Sequence, residues 1–557
     1  MIANSNITVD KNNKNFKQTN KDYNELISLG IRNVQRNNFE NAVKNFLNAI
    51  NINSKKYQAF INLSNVYILQ NKIKKGVEIL KKYLVENNYK INVINHLGII
   101  CLKYNYENDL KDLFKYLDQD LNSHNNKSKF FLYYLRGKYL QKKDNINYAI
   151  DSYKKSIDLN NNYLETYIDL LSLLEQINNL EEFKIYLDVA NINFIHDYRI
   201  KFFESLYYNR VKEIEQSQKI ISRYTLQEKL KNNQNIYPRI LDLMSKNYEK
   251  KGNYNLSFKK IQERNIFLSK LPENKKFNKN IILDTIQTYR KFFVKENFKK
   301  ILNLPKHNNL VFLIGFPRSG TTLLDSILRT HSKTLVLEEK PYLLNVRHNY
   351  FKNNNNKIDS IKSLSFEKIA ELQKNYFEQI NLHNKNKEKI IIDKFPLSIV
   401  ELGFIKIIFP EAKIILAMRH PCDAVISCYF SFFTMNDAMI NFLDLKDSVS
   451  FYNSIFNLFE QFEREINLGY HIIKYEDLVK NFKETLEKLL KYINLDYEKK
   501  LEDFYSTAKK RDKIHTPSYS QVIQPIYNTS INRYINFEDA KFIEPLLEKW
   551  INRFGYS

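Results

Sequence analysis

The amino-terminal part of the chain places apolar and polar residues with helical spacing, and the pattern returns about every 34 residues. Successive repeats begin at Tyr23, Tyr57, Ile91, Phe130 and Leu164. Small residues fall at fixed positions between larger apolar ones, which lets two helices approach closely. The pattern therefore predicts a series of helical pairs that stack on one another.

The register of the small residues resembles that of tetratricopeptide repeats. In the repeat from Tyr23, positions 8, 20, 24 and 27 are taken by Gly30, Ala42, Phe46 and Ala49. Matching residues in later repeats are Ser64, Tyr67 and Leu80, then Gly98 and Phe114, then Gly137, Ala149 and Tyr153, and, in a weaker fifth repeat, Leu171 and Ala190. The resemblance implies an α-solenoid over residues 21–195, with a concave groove for a protein partner. A generic helical bundle or a coiled coil does not predict small residues in a fixed register.

Two stretches flank the repeats. Residues 1–20 are polar and rich in Asn and Lys, without the apolar segment of a signal peptide, so we expect a disordered lead-in. Residues 196–306 keep a helical periodicity without a clear register, and we expect helices that bridge the solenoid to a second domain. Within them, the stretch from Ile240 to Asn265 is similar to one more helical pair.

The carboxyl-terminal part opens with a different pattern. The unbroken apolar run from Leu310 to Ile314 predicts a buried strand, which leads into the turn Gly315 to Gly320 and then into helix-like spacing from Thr321 to Leu328. Backbone N–H groups of such a turn and the positive end of the helix dipole point at one place. We therefore predict a site for a phosphate or sulfate group, with a turn of no chemical role as the alternative.

The spacing of Gly315 and Gly320 is also that of a nucleotide-binding P-loop, but Thr321 stands where the lysine of that loop would be. This substitution argues against an ordinary ATPase. Arg318 lies within the turn, and its guanidinium suits a bidentate contact with phosphate or sulfate oxygens. Arg419 follows an apolar strand, at the edge where parallel sheets bind their ligands.

Five segments in the correct order resemble the sulfotransferases that use 3′-phosphoadenosine 5′-phosphosulfate (PAPS). They are Phe316–Leu324, Ile391–Pro396, Phe409–Ser427, Lys474–Leu478 and Thr516–Ile526 with Arg533. The resemblance covers residues 307–557 and implies a P-loop-like α/β domain with a parallel sheet. The expected fold class is thus an α-solenoid followed by an α/β sulfotransferase domain, with PAPS as the donor and no metal.

The resemblance also implies which residues contact the donor, namely Pro317, Arg318, Ser319, Gly320, Thr321, Thr322, Arg419, Ser427, Tyr475 and Arg533. Arg533 takes the place of a lysine, which keeps the charge but changes the geometry of the hydrogen-bond donors. In the tyrosylprotein sulfotransferases a second arginine follows the helix serine by four residues, and Ser431 stands there in this chain. The 3′-phosphate is then held by fewer charges or by another lysine.

The catalytic residues that the resemblance implies are Glu339, Lys394 and Ser518. From the phosphate-binding loop to the pair Glu338 and Glu339, the chain follows the tyrosylprotein sulfotransferases without a gap, and their base falls on Glu339. A carboxylate there accepts the proton of an acceptor hydroxyl, and Glu338 is its rival for this role. Lys394 and Ser518 stabilise charge in the transition state, with a structural ion pair as the alternative for Lys394.

The acceptor follows only from the resemblance, which implies a hydroxyl of a peptide tyrosine or of a glycan. One alternative is a P-loop phosphotransferase, which Thr321 disfavours. The other is a repeat scaffold with an inactive catalytic domain, which would lose residues such as Arg318, Glu339 or Lys394, and all of these are present.

The amino-acid composition slightly narrows the possible partners and locations of the protein. Lys+Arg 86 against Asp+Glu 62 gives a net charge of +24, but no arginine-rich stripe with aromatic residues appears, so we expect no nucleic-acid partner. No apolar run has the length of a membrane span. The 3 cysteines are wrongly spaced for a zinc site and are typical of reduced thiols in a cytoplasmic protein. We interpret His331, His420 and His515 as surface or capping residues.

Overall fold

The computed structural model describes residues 8–87, 90–117, 129–225, 235–294, 297, 309–355, 357–381, 389–466, 468–509, 522 and 524–556. These residues fall into two compact units. One unit runs up to Glu175 and includes Asn179–Ile195, and the other comprises Gln176–Asn178 and the chain from His196 onward.

The first unit is entirely helical in its described residues. Its helices are α1 (Thr8–Gln35), α2 (Phe39–Ile52), α3 (Tyr57–Leu69), α4 (Ile73–Glu86), α5 (Ile91–Tyr104), α6 (Glu107–Phe114), α7 (Phe130–Lys142), α8 (Ile146–Leu159), α9 (Leu164–Gln176) and α10 (Leu180–Asn193). Within the pairs, α1 packs against α2, α3 against α4, α5 against α6, and α7 against α8. The predicted helical solenoid is therefore confirmed.

The small residues of the repeat register lie where paired helices touch. A Cβ atom on Gly30 would lie 2.4 Å from the ring of Phe46, and one on Gly137 would lie 2.5 Å from the ring of Tyr153. Real Cβ contacts are essentially never below 3.0 Å, so any larger residue would push the rings away. The repeat in the sequence thus reflects close packing inside each helical pair.

The turns between paired helices share a second periodic feature. Asn37, Asn71, Asn105, Asp144 and Asn178 have φ values of 56°, 59°, 63°, 58° and 57°. Asn and Asp adopt this left-handed conformation more readily than other residues that carry a side chain. These turn residues recur with the period of the helices, and the expectation from the sequence did not use them.

Helix α1 begins at Thr8, within residues 1–20, for which a disordered lead-in is expected. The stretch 8–35 contains no proline and has its only glycine at Gly30, so nothing in the backbone stops the helix from extending outward from the first repeat. Residues 1–7 lie outside the described part of the chain.

The second unit opens with further helices: α11 (Tyr198–Arg210), α12 (Ile214–Thr225), α13 (Tyr237–Lys250), α14 (Tyr254–Lys270), α15 (Pro272–Lys275) and α16 (Asn280–Phe292). The α13–α14 pair coincides with the stretch that resembles one more repeat, and Gly252 in its turn has a φ of 75°. The α11–α12 pair was not expected. The left-handed residue of its turn is Lys212, with a φ of 68°. Because lysine is not typical of this conformation, the sequence gives no sign of the turn.

A sheet of five parallel strands forms the centre of the second unit. The strands are β1 (Leu310–Gly315), β2 (Thr334–Glu338), β3 (Ile390–Lys394), β4 (Lys413–Met418) and β5 (Tyr470–Lys474), in the order β2-β3-β1-β4-β5. Phe312 on the central strand lies opposite Asp393 and Ile414. Because every strand runs in the same direction, all carboxyl ends meet at one edge of the sheet.

Helices cover both faces of this sheet. They are α17 (Thr321–Thr330), α18 (Tyr342–Asn353), α19 (Phe366–Asn381), α20 (Leu402–Ile408), α21 (Pro421–Phe430), α22 (Leu445–Glu465), α23 (Tyr475–Lys480), α24 (Phe482–Tyr492), α25 (Phe504–Lys509) and α26 (Ile543–Arg553). Phe312 belongs to the core on one face and its neighbour Leu313 to the core on the other, as strand alternation requires. The predicted α/β domain with a parallel sheet is confirmed.

The core of the second unit also includes helices that precede the sheet in the chain. Phe258 and Ile261 of α14 and Ile286 of α16 lie in the same apolar cluster as Phe312. These helices are therefore an integral part of the α/β unit rather than a loose connection.

Asp393 is a buried carboxyl group on β3. It accepts a hydrogen bond of 2.6 Å from the Tyr376 hydroxyl. Burial raises the pKa of Asp393 to about 7, although the hydrogen bond from Tyr376 opposes this rise. Because the folded chain holds this proton more tightly than the unfolded chain, the group favours folding at low pH and loses that contribution as pH rises from about 4 to about 7.

We predict that Asp393→Asn flattens the pH dependence of stability over this window. The test compares urea unfolding at pH 5 and pH 8, followed by the fluorescence of Trp550, the chain's 1 tryptophan, which is buried in the second unit. The wild type should lose more unfolding free energy between these pH values than the variant does. Asp359→Asn, at an exposed carboxylate, is the control and should keep the wild-type dependence. Equal slopes for wild type and Asp393→Asn would contradict the assignment.

Candidate active site

The carboxyl ends of the strands border a cleft of about 1510 Å³. The residues expected at the site that line it are Pro317, Arg318, Gly320, Thr321, Thr322, Glu339, Arg419, Ser427, Tyr475 and Arg533. Ser319 and Lys394 are buried instead, with 3% and 0% of their surface exposed. Ser518 lies outside the described residues.

The loop after β1 has a tightly constrained backbone. A Cβ atom on Gly315 would lie 2.4 Å from the carbonyl oxygen of Ala417 on β4, and one on Gly320 would lie 2.9 Å from the Tyr475 ring. Arg318 and Gly320 both adopt left-handed conformations, with φ values of 68° and 86°. Turns of this kind direct successive N–H groups into an anion-binding concavity. A strained arginine in such a loop is a feature of functional sites.

Arg318 and Arg419 are tied to each other and to three elements. Arg318 Nε donates to Ser427 Oγ on α21 at 3.1 Å. Arg419 Nη1 donates to the carbonyl oxygen of Arg318 at 3.4 Å, and Nη2 donates to that of Ser530. The Arg419 guanidinium lies over the Tyr475 ring, 5.2 Å from its centroid. The loop, the end of β4 and α21 thus form one wall of the cleft.

Arg533 is the third arginine of this cluster. Its Nε and Nη2 donate to the two carboxylate oxygens of Glu249 at 2.5 and 2.7 Å. Burial, together with the positive charges of Arg419 and Arg533, lowers the pKa of Arg318 to about 10. Arg318 therefore remains charged at neutral pH, and the three arginines make the cleft a strongly cationic environment.

Glu339 and Lys394 form an ion pair at the ends of β2 and β3. Lys394 Nζ donates to Glu339 Oε1 at 2.7 Å, and the same nitrogen lies 3.7 Å from Asp325 Oδ2 and 3.9 Å from Glu338 Oε1. Glu339 has a φ of 46°, a conformation that costs a residue with a side chain about 1 kcal/mol or more. The ion-pair alternative for Lys394 is therefore present in the structure, and it joins Lys394 to the expected base.

The two neighbouring glutamates differ in access to the cleft. The Glu339 side chain is 35% exposed and lines the cleft, whereas the Glu338 side chain is 8% exposed and does not. The left-handed turn at Glu339 accounts for this difference, because it redirects the chain where β2 ends.

Ser431 stands where the tyrosylprotein enzymes carry an arginine, and its Oγ donates to the carbonyl oxygen of Ser427 at 2.7 Å. The cation nearest to this helix end comes from α14 instead. Arg264 donates to the carbonyl oxygens of Tyr429, Phe430 and Ser431 at 2.9, 3.0 and 3.3 Å. A buried cation at the negative end of α21 stabilises that helix and fixes Ser427, one turn earlier.

The residues that line the cleft without having been expected include Glu249, Lys250, Tyr527 and Ser530. Burial raises the pKa of Tyr527, while a hydrogen bond with Ser530 and the nearby arginines oppose the rise. Burial also lowers the pKa of Lys250 to about 8. Tyr527 directly follows Ile526, the last residue of a segment that resembles the sulfotransferases. That segment is the sequence signal closest to Tyr527. Glu249 lies 284 residues from its partner Arg533, and no local motif could find it.

Two of the three histidines near the motifs lie at helix ends, but both are buried and so are not surface residues. His331 Nε2 donates to the carbonyl oxygen of Asp496 at 2.9 Å, and the His420 ring stacks on Tyr534 at 4.7 Å. Neither lines the cleft. His515 lies outside the described residues. Over the described residues, no group of three or more His, Cys, Asp or Glu side chains is arranged to hold a metal ion.

The buried Arg264 generates a prediction about stability. Arg264 also lies 2.5 Å from Asp242, so Arg264→Met leaves this buried carboxylate with Lys246 and without its arginine, and removes three hydrogen bonds to the carboxyl end of α21 and the residue after it. We expect the second unit to lose about 3–5 kcal/mol of unfolding free energy, and Arg264→Met with Asp242→Asn to recover part of it. Chemical unfolding followed by Trp550 fluorescence measures both. A loss below about 1 kcal/mol in the single variant would contradict the role given to Arg264.

Comparisons with known proteins give separate matches for the two halves of the chain. Residues 311–499 match the model of the Sulfotransferase family. Residues 95–235 match the model of anaphase promoting complex subunit 8 / Cdc23. An uncharacterized protein of Aquifex aeolicus (strain VF5) is 24% identical over 192 residues, which are 33% of this chain and 25% of that protein. The chain thus spans about a quarter of the length of this curated relative.

Solved structures similar to this chain come from both classes. The sulfotransferase domain of the Synechococcus PCC 7002 olefin synthase is 19% identical, covers 45% of this chain and 98% of its own, and has a TM-score of 0.33. The sulfotransferase domain from the curacin biosynthetic pathway is 18% identical, with coverages of 44% and 99% and a TM-score of 0.31. YrrB, a TPR protein, is 16% identical, with coverages of 34% and 94% and a TM-score of 0.24.

These family matches assign the two parts of the chain. Tetratricopeptide-like helices precede a domain that matches the sulfotransferase family, and this domain supports a transferase activity of the sulfotransferase type. Among the described helices, none is both long and apolar enough to span a bilayer.

Proposed function

We propose that this chain, whose carboxyl-terminal part carries a domain of the sulfotransferase family, transfers the sulfuryl group of PAPS to a hydroxyl of a peptide tyrosine or of a glycan. One observation carries the proposal. The strained loop at Arg318, the arginines at 419 and 533, and the pair Glu339 and Lys394 all border the same cleft or its wall. The cleft thus combines an anion-binding loop, concentrated positive charge and a carboxylate.

The residues of the cleft fit a polyanionic donor. Arg419 Nε is buried and has no hydrogen-bond partner among the described residues, although a charged donor in such a place usually has one. The N–H groups of the loop from Pro317 to Thr322 suit the phosphosulfate end of PAPS. Arg419 and Ser427 suit its 3′-phosphate, with Ser431 adding no charge. Tyr475, which packs on Gly320, closes this end of the cleft.

The chemistry assigned to the chain is an in-line transfer with a glutamate as general base. When bound, PAPS supplies the sulfuryl group, whose bond to the phosphate oxygen breaks as the acceptor oxygen bonds to sulfur. Glu339 takes the proton of the acceptor hydroxyl. Lys394 holds the Glu339 carboxylate in place and adds positive charge where negative charge develops. Ser518 keeps its role as a stabiliser from the resemblance alone.

The size of the cleft suits two ligands. About 1510 Å³ exceeds the 300–1,000 Å³ or so of a typical small-molecule site, which leaves room for an acceptor beside the donor. Besides the expected site residues, the lining includes Leu344, Arg347, Leu397, Phe432, Phe433 and Met439. We assign a protein partner or the acceptor peptide to the groove of the helical repeats. The free thiols of Cys101, Cys422 and Cys428 support a cytoplasmic location.

We predict that the protein binds 3′-phosphoadenosine 5′-phosphate (PAP) with a micromolar Kd and much more tightly than ATP or GTP. Arg419→Ala should weaken binding of PAP about tenfold or more, because it removes a charge-assisted contact with the 3′-phosphate. Isothermal titration calorimetry measures these affinities, and adenosine 5′-phosphate, which is PAP without its 3′-phosphate, is the matched control ligand. A preference for ATP would support a phosphotransferase instead.

We predict that Glu339→Gln lowers the rate of transfer by about 10²–10⁴-fold while the Kd of PAP changes little, because the amide cannot accept the acceptor proton. Glu338→Gln is the matched control and should keep most of the rate. The readout is PAP formation from PAPS in the presence of tyrosine peptides and glycans. An equal loss in Glu338→Gln alone would move the role of base to Glu338.

A further inference from the structure

The sulfotransferase match, residues 311–499, leaves out parts of the cleft lining on both sides, and the part that precedes the match includes a helix. Helix α13 precedes residue 311, where the family match begins, and it contributes Asp242, Lys246, Glu249 and Lys250 to the lining. Of these side chains, Glu249 makes direct contact with a residue expected to bind the donor. This contact involves no residue of the loop after β1.

The contact between Glu249 and Arg533 is bidentate. Arg533 Nε donates to Glu249 Oε1 at 2.5 Å, and Arg533 Nη2 donates to Oε2 at 2.7 Å. Both side chains are largely buried, with 18% and 24% of their surface exposed. The Arg533 guanidinium also lies over the rings of Phe430 and Phe537, at 4.7 and 5.1 Å from their centroids. The two rings therefore fix the plane of the Arg533 guanidinium, and Glu249 fixes one of its edges.

A guanidinium group has two edges that can each form a pair of hydrogen bonds. Glu249 occupies the edge formed by Nε and Nη2 of Arg533, which leaves the edge formed by Nη1 and the second N–H of Nη2. Arg533 Nη1 forms no hydrogen bond with any residue in the described part of the chain. The pair thus presents a fixed, charged fork within the cleft that Arg318 and Arg419 also line.

Glu249 can hold this position because its helical pair is anchored to the catalytic unit. Arg264 and Asn265 of α14 both donate to the carbonyl oxygen of Tyr429, and Phe258 stacks on the Tyr429 ring at 5.5 Å. Tyr429 belongs to α21, the helix that carries Ser427. The wall that bears Glu249 and the wall that bears Ser427 are therefore held together by buried contacts.

We propose that Glu249 is a positioning residue for the sulfuryl donor: it holds one edge of Arg533 so that the other edge can bind an anionic group of PAPS. This inference rests on the proposed function and extends the catalytic unit to the helical pair α13–α14. The donor site is then built partly from a repeat-like element that lies before the family domain.

A different role for Glu249 predicts the opposite sign. If its carboxylate occupied the place of the donor's phosphate, removal of Glu249 would free Arg533 and tighten binding of PAP. A positioning role predicts weaker binding, because Arg533 loses the partner that orients its fork. The sign of the change therefore separates the two roles.

The experiment measures the Kd of PAP by calorimetry for the full chain and for Glu249→Ala, Arg533→Gln and the double variant. We expect Glu249→Ala to weaken binding about tenfold, and to add little in the Arg533→Gln background, because Glu249 acts through Arg533. Glu249→Gln, which keeps an oxygen acceptor, should lose less than Glu249→Ala. Glu273→Ala removes an exposed carboxylate outside the cleft lining and should leave the Kd unchanged.

Several outcomes would overturn the inference. Unchanged or tighter binding in Glu249→Ala, or equal losses in the single variant and on top of Arg533→Gln, would show that Glu249 does not act by orienting Arg533. The calorimetric stoichiometry reports the folded fraction, so a lower stoichiometry with an unchanged Kd would mean a purely structural role. Failure of the wild type to bind PAP would overturn the proposed function and this inference with it.

Discussion

Repulsion among Arg318, Arg419 and Arg533 is the physical constraint on which the site depends. Like charges in a partly buried cleft oppose folding unless other groups offset them. The chain supplies partial compensation, since Asp423 lies 3.7 Å from Arg419 and Glu249 pairs with Arg533. The remaining positive charge is stabilised when an anion binds. The features that weaken the free protein are thus the ones that suit a donor with several phosphate and sulfate charges.

The parallel sheet brings these charges together, and the preceding helices hold them there. The ends of β1, β3 and β4 carry the strained loop, Lys394 and Arg419, respectively. Arg264 then fixes the far end of α21 from a helix that lies outside the family match. The catalytic unit therefore begins before the first residue of the family match. A variant truncated at that residue would lose part of the wall of the cleft.

Sequence reasoning succeeded where a short motif determines local structure. The apolar run from Leu310, the turn to Gly320 and the Gly30 register each reflect contacts within a few elements, and each is found as expected. It failed where a contact joins residues far apart in the chain, or where the residue typical of a local structure is replaced by another. Glu249 meets Arg533 only in the folded chain, and Lys212 replaces the usual turn residue of its helical pair.

The central claim is that the loop after β1 and the wall formed by Arg419 and Ser427 bind the two ends of one donor. A crystal structure of the protein with PAP tests it most directly. The account predicts the 5′-phosphate within hydrogen-bond distance of the backbone N–H groups of residues 317–322, and the 3′-phosphate on Arg419 and Ser427. PAP bound in the reverse orientation, or outside this cleft, would contradict it.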